Sequence, residues 1–416
     1  MDRLIVPLAP ASIALPRPLG SQPILTGPAA ARIQISVVRG NVRATAQAGP
    51  GERRARASGN DTAVDLEIAP VLVMSSLDPV DSLWIVRCPL TQRIEETLTR
   101  LAGVPVVPVD NDPIDDNDIW VQDAVEFAVA PHAGGHTVVP FLGLRGRHDQ
   151  GLTCGPLDRR VAEAVTRTLP DAAPLQLGPA LSGRRWIDWF GNLEATPPLP
   201  GYPDGRILTG RQRELALHGD VLAFLRDQER QWPPVTLDVS WLTIGHVDEL
   251  IGFVPATGRP GWRALMPSPA RARTLLRTVA PDTLVLGGTA AATTVGALRA
   301  LAESDETRAI ETALAATRAQ LEAEIGLTAR QTIEVPVLFR DGLAALPNAV
   351  NSLIVGRTVF VPDPGIAAFA DDLRTRLTAL GLTVHVLDSV EPYHVRGGEL
   401  HCGTNTVRRP RRRRRH

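Results

Sequence analysis

The stretch Asn351-Ser-Leu-Ile-Val-Gly-Arg-Thr-Val-Phe-Val361, with its continuation to Leu387, decides the architecture. Two short β-branched runs flank Gly356-Arg357, which reads as a tight turn between paired strands. Pro362 and Pro364 break the second run. Apolar residues then fall at Ile366, Phe369, Ala370, Leu373, Leu377 and Leu380, the stripe of a helix. Gly381 stops that helix, and Thr383-Val-His-Val-Leu387 is a third strand. The unit is ββαβ.

The same order recurs upstream. Residues 250–254 and 262–266 read as strands, 269–279 as a helix and 283–286 as a further strand. Part of another copy lies in 206–209, 211–230 and 236–239, and part of a first in 84–86, 91–101 and 104–109. Residues 298–325 form a long charged helix with a break at Ser304-Asp305. Repeated units of one topology predict pseudo-symmetric packing, with loops converging on an axis. Residues 1–66 form a short β-rich lead-in, with strands at 32–38 and 62–71 and a loop at 44–60. Residues 67–408 form the main domain, and 409–416 a disordered arginine-rich tail.

Composition narrows the class. The chain has 416 residues, 44% of them hydrophobic and 21% charged, which suits a soluble globular protein. A formal net charge of −1 gives no general attraction to nucleic acid or membrane. All 44 Lys+Arg positions are arginine, a bias that fits a GC-rich genome. Cys88, Cys154 and Cys402 are too few and scattered for a disulfide framework or zinc site. The apolar start, broken by Pro7 and Pro10, makes a poor signal peptide, so a cytoplasmic location is expected.

Three segments carry chemistry: Trp120-Val-Gln-Asp123-Ala-Val-Glu126, His246-Val-Asp248 and His401-Cys402-Gly403. A histidine beside a carboxylate, near a thiol, is the minimum for acid–base and nucleophilic work. Each segment alone reads equally as structure. Together they match one substrate. A guanidinium is a planar cation with donors on several edges, and two carboxylates can grip it through charge-assisted hydrogen bonds. A cysteine acyl-transfer enzyme using Cys402 and His246 would leave Asp123 and Asp248 unexplained. A binding protein acting through its basic tail is the alternative from a third class.

These segments, with Phe190-Gly-Asn-Leu-Glu194, Phe253-Val-Pro255, Pro347-Asn-Ala-Val-Asn351 and Tyr393-His-Val-Arg396, resemble the catalytic domain of protein-arginine deiminases. The resemblance implies the pentein fold, an α/β propeller of five ββαβ modules, and hydrolysis of peptidyl-arginine to peptidyl-citrulline and ammonia. It implies Cys402 as nucleophile, His246 as acid–base group, Asp123 and Asp248 as guanidinium clamp, and Trp120 along the side-chain stem. Arg145 and Arg147 correspond to contacts with the substrate backbone, and Arg396 to a rim contact. His394 and His401, flanking the nucleophile, read as packed or hydrogen-bonded histidines.

Calcium (Ca2+) is the implied cofactor, with Gln122, Glu126 and Glu194 and the carbonyls of Phe190 and Leu193 as ligands. A second family site looks lost, because Ala124 and Val139-Pro-Phe-Leu142 stand where it needs acids. The acidic run 110–118 lacks the glycine and glutamate of an EF-hand. Implied partners are arginine-containing proteins or peptides; oligomeric state is open. The alternative within the fold is a deiminase or hydrolase of a small guanidine, such as free arginine or agmatine.

Overall fold

The structure, a computed structural model, describes residues 4–7, 24–26, 33–37, 42–46, 54–59, 62–111, 118–132, 135–143, 145, 156–177 and 185–411. Five three-stranded sheets share one pattern. In each, the first strand pairs antiparallel with the second, and the second pairs parallel with the third through a helical crossover. Parallel neighbours need such a crossover.

The fifth sheet matches the deciding stretch. Leu353–Val355 pairs antiparallel with Thr358–Pro362, which pairs parallel with Thr383–Leu387 across the helix Ala367–Ala379. The fourth joins Gly252–Pro255, Trp262–Pro267 and Thr332–Val335. The third joins Leu193–Ala195, Ile207–Arg211 and Val235–Asp238 across the helix Gly219–Asp227. The second joins Val125–His132, Gly135–Leu142 and Leu175–Gln176 across Pro156–Thr168. The first takes Val80–Arg87 and Val106–Asp110 from the start of the domain, with Gln92–Leu101 between them. Its outer strand is Thr404–Arg408, from the far end of the chain. The strand just after Cys402 therefore closes onto the domain's beginning. The repeats expected from the sequence are present, and the fold class is the pentein α/β type.

Local expectations differ in two places. The fourth sheet takes its third strand from Thr332–Val335, whereas Leu284–Val285 pairs in a small hairpin with Thr293–Thr294. A β-branched pair can close a local hairpin as readily as it joins a sheet. The long charged helix breaks where expected, into Val295–Ala302 and Asp305–Ile325, because Ser304 caps the second by accepting from the Thr307 amide at 3.1 Å. Residues 44–60 are no continuous loop. Val42–Ala46 and Arg54–Gly59 are strands in a six-stranded sheet with Ile33–Val37 and Thr62–Ala69. Arginine alternating with alanine in 54–57 supplies the period-two pattern.

The core lies where helices cover the sheets. Leu83, Trp84, Ile85 and Val86 are consecutive and fully buried, as a strand covered on both faces requires. The Trp84 ring lies 5.0 Å from that of Phe127, tying the first sheet to the second. Arg408 is buried and donates to the carbonyls of Ser76, Asp78 and Ile354 at 2.7–2.8 Å. Three otherwise unpaired carbonyls are thereby satisfied, and the closing strand is fixed to its neighbours. Of the tail, Arg409 and Arg411 pair with Asp81 and Asp78, and residues 412–416 lie outside the described residues. No helix among the described residues is long and apolar enough to cross a membrane.

Candidate active site

The segment leading into the first strand of every sheet contributes to one site. These segments carry Gln122 and Asp123, Phe190 to Asn192, His246 to Glu249, Asn348 to Asn351, and His401 to Gly403. Hydrogen bonds join them in sequence around the axis. Gln122 N–H donates to the Cys402 carbonyl at 3.2 Å. Cys402 N–H donates to Asn351 Oδ1 at 3.1 Å, and Asn351 Nδ2 donates to the Asp248 carbonyl at 3.3 Å. His246 Nε2 meets the Trp186 carbonyl at 2.7 Å. Gln122 Nε2 returns to the Phe190 carbonyl at 3.3 Å, completing the ring. A side chain shared between segments from different sheets fixes positions that no single loop could hold.

The four residues expected to carry catalysis are all buried and close together. Cys402 Sγ lies 3.4 Å from Asp248 Oδ2. His246 Nδ1 lies 3.6 Å from Asp123 Oδ1. A carbonyl can only accept, so the bond to Trp186 places the Nε2 proton there and leaves Nδ1 facing the clamp. His246 and Asp248 share the site from a single turn, Val247–Glu249, rather than an extended segment. Asp123 Oδ1 and Asp248 Oδ1 have no hydrogen-bond partner although buried. Buried carboxylate oxygens without donors are costly, so these two mark where a cationic donor belongs.

The titrations follow from this crowding. Burial raises the Asp123 pKa to about 6, with His246 and Arg145 opposing. Asp248 is held low: burial would raise it, but His401, His246 and the Cys402 thiol together outweigh that. For His246, burial disfavours the proton, while Asp123, Asp248 and Glu249 more than compensate, so its pKa is raised. The Cys402 pKa is pushed well up by burial and by Asp248 and Asp123. Without a substrate cation the sulfur is therefore a thiol.

Two glycines are required by close approach. A Cβ on Gly191 would sit 2.5 Å from His246 Nδ1 and 2.8 Å from Asp123 Oδ1. One on Gly398 would sit 2.5 Å from Trp120 Cζ3 and 3.3 Å from Cys402 Cβ. Gly398 is thus packed between the Trp120 indole and the nucleophile. Trp120 is half-buried, 5.7 Å from the Tyr393 ring. A cavity of about 360 Å³ opens onto Cys402 past Glu249, Asn351 and Gly398. Trp120, Asp123, His246 and Asp248 do not line it.

The arginines expected at the substrate backbone are placed differently from one another. Arg145 is buried, with its guanidinium on Asp118 and Asp158, each at 2.8 Å, and over the Trp189 ring at 5.2 Å. Both aspartates being engaged inward, it braces the segment before Trp120 instead of facing outward. Arg147 lies outside the described residues. Arg396 is exposed, at the end of the turn His394–Arg396.

Of the expected calcium ligands, Gln122, Glu126 and the Phe190 carbonyl meet directly. Gln122 Nε2 donates to Glu126 Oε2 at 2.9 Å and reaches the Phe190 carbonyl. Burial and the neighbouring Glu194 raise the Glu126 pKa to about 8. Burial also raises Glu194, to about 7, with His401 opposing. Leu193 opens the strand that follows Phe190 to Asn192. The buried Glu126, the half-buried Glu194, a reversible amide and main-chain carbonyls are oxygen donors of the kind a hard cation takes. Among the described residues no group of three or more His, Cys, Asp or Glu could hold a metal ion, so amide and carbonyl oxygens would have to complete the set.

Sequence reading did not single out Asn351, and it left the partners of the hydrogen-bonded His394 and His401 unidentified. Asn351 binds the nucleophile's own amide. His394 Nδ1 meets Glu399 Oε1 at 2.8 Å, and His401 Nδ1 meets Asp248 Oδ2 at 3.0 Å. Both histidines thus have carboxylate partners, supplied in the second case from a distant segment. The recurrence of Asn192, Asn351 and Asn405 near the start of three sheets is the one signal in the sequence that could have pointed to the ring.

A family model described as protein-arginine deiminase (PAD) matches residues 59–413. Protein-arginine deiminase type-4 of Mus musculus is 29% identical over 384 residues, covering 83% of this chain and 55% of that protein. Type-3 of Homo sapiens is 31% identical over 330 residues, covering 71% of this chain and 47% of that protein. The chain spans about half the length of the curated relatives it matches. Agmatine deiminase of C. jejuni, solved with substrate bound, superposes with a TM-score of 0.50 at 12% identity, covering 81% of this chain and 96% of that one. With its motifs in place along a family match that takes in the whole repeated fold, the chain belongs to the protein-arginine deiminase family.

Proposed function

We propose that the chain hydrolyses the guanidinium of peptidyl-arginine to citrulline and ammonia. The observation that carries this is the pair of unpartnered, buried oxygens, Asp123 Oδ1 and Asp248 Oδ1, beside the Cys402 thiol. A guanidinium supplies donors to both and brings the positive charge that favours a thiolate.

Cys402 Sγ gives up its proton to solvent as the guanidinium cation binds, Asp248 staying ionised in the clamp, and bonds to the guanidinium carbon. His246 Nδ1 protonates one terminal nitrogen, and the C–N bond breaks to release ammonia. An amidino thioether remains. Water then gives a proton to His246 and adds to the same carbon. Breaking the C–S bond yields the urea group and restores the thiol. The raised pKa of His246 suits the first proton transfer. A side-chain stem lying along Trp120 takes the place now held by Gly398, so the 394–399 segment shifts when substrate binds.

Calcium would be held by Gln122, Glu126 and Glu194 with the carbonyls of Phe190 and Leu193. Its chemistry there is charge neutralisation of two carboxylates on either side of the clamp. Gln122 and Asp123 are adjacent, so fixing one fixes the other. The test is citrulline formation on an arginine peptide, with calcium and with chelator. Equal rates in the two conditions would remove calcium from this reading; no citrulline in either would remove the activity.

A further inference from the structure

Arg145 is a buried cation beside the clamp with no part in the chemistry. It is 6% exposed, and its guanidinium lies between two carboxylates buried with it, Asp118 and Asp158. Nη2 lies 2.8 Å from Asp118 Oδ2, and Nη1 donates to Asp118 Oδ1 at 3.3 Å. Nε donates to Asp158 Oδ1 at 2.8 Å. A planar fork serves two carboxylates at fixed angles, which an ammonium cannot do.

The partners of Arg145 lead to two different walls of the site. Asp118 Oδ1 also accepts from Trp120 N–H at 3.2 Å, and the Asp118 carbonyl is held by Asn111 Nδ2 at 2.7 Å. Trp120 is the residue before the turn Val121–Ala124, which carries Asp123. The face of the guanidinium lies over the Trp189 ring at 5.2 Å. That ring lies 6.4 Å from the His246 imidazole. Trp189 N–H donates to the Trp186 carbonyl at 2.9 Å, the same oxygen that holds His246 Nε2. Asp158, in the first turn of the helix Pro156–Thr168, anchors the cation to the second sheet's crossover. One side chain thus touches the supports of both Asp123 and His246.

We infer that Arg145 is a positioning residue for the guanidinium clamp, holding the Trp120–Asp123 wall through Asp118 and the His246 wall through Trp189. It sets the gap that the substrate's own guanidinium fills, and it makes no contact with the substrate backbone. This rests on the deimination reading above.

The experiment compares two alkylations of Cys402 in the full chain with calcium. Chloroacetamidine is a cation the size of the substrate's head group, and chloroacetamide is its neutral counterpart; with each, the sulfur displaces chloride and forms a C–S bond. Rates are read at Cys402 by peptide mass mapping, beside kcat/KM on an arginine peptide and circular dichroism. The wild type is expected to favour the cation. Arg145→Gln and Asp118→Asn are expected to lose that preference by about 100-fold, the scale of a misplacement near 1 Å. Their chloroacetamide rate should be unchanged, and peptide kcat/KM should fall by a similar factor. Should the glutamine variant not fold, Arg145→Lys, which keeps the charge without the fork, carries the same comparison. A preference for the cation that survives in the folded variants overturns the inference; a fall in peptide kcat/KM alone would assign Arg145 to the substrate backbone instead. Equal loss of both alkylation rates marks a general collapse of the site and also overturns it. A wild type with no preference for the cation overturns the clamp reading as well.

Discussion

At the scale of single residues, the site is a set of groups whose titrations are shifted by burial and by one another. Cys402 is the clearest. Buried beside two carboxylates, it stays protonated until a cation arrives. Alkylation by iodoacetamide in the absence of substrate should be slow at neutral pH. The rate should climb with pH, with a midpoint above the usual thiol value of about 8.5; a midpoint near 7 would contradict the burial argument. Cys402→Ser should lower kcat by about a thousand-fold or more, as losses of activated nucleophiles do, with the far-ultraviolet spectrum unchanged. Asp248→Asn removes one charge from a buried pair with the substrate, a loss of about 2–5 kcal/mol. Steady-state kinetics on an arginine peptide should show kcat/KM reduced at least about 30-fold.

Among elements, the segments that run into the sheets matter more than the sheets themselves. Each brings one or two functional side chains, and the hydrogen-bonded ring from Gln122 through Cys402, Asn351 and Asp248 holds them in register. Gly191 belongs to this level, since its missing side chain is the space in which His246 and Asp123 meet. Gly191→Ala should cut kcat about 100-fold, the scale of a misplacement near 1 Å, while circular dichroism shows the fold retained. Unaltered kcat would mean the His246–Asp123 contact is dispensable.

The same level shows what was legible. Residues 351–387 declared their sheet because a two-residue turn, a helical stripe and a stopping glycine lie in one continuous run. The fourth sheet was only half legible, since three helices separate Trp262–Pro267 from its parallel partner Thr332–Val335. The second sheet was not read at all; its third strand is only the pair Leu175–Gln176. In the site, Asp123, His246, Asp248 and Cys402 were legible through motifs spread over the chain. Asn351 and His401 were not, because a side chain that bonds a distant segment leaves no local pattern. The partners of Arg145 were not legible for the same reason: Asp118 and Asp158 lie on either side of it in sequence, and only folding brings both to one guanidinium.

For the molecule as a whole, the two ends of the repeated domain meet in the first sheet, and the nucleophile sits just before that closure. A ligand that tightens the ring should stabilise the whole domain. Calcium at a hundred times its dissociation constant adds about 2.7 kcal/mol, so thermal unfolding should move to higher temperature on adding calcium. Glu126→Gln should abolish that shift, and a shift persisting in the variant would place the ion elsewhere. The central claim, a clamp and thiol that deiminate arginine within a peptide, is tested most directly by substrate choice. Ureido product, citrulline from the arginine substrates and carbamoylputrescine from agmatine, would be measured with an internal-arginine peptide, free arginine and agmatine, each with calcium, for wild type and Cys402→Ser. The account predicts turnover of the peptide well above that of either small guanidine, lowered about a thousand-fold or more in the serine variant. Preferential turnover of free arginine or agmatine, or a serine variant that works near the wild-type rate, would contradict it.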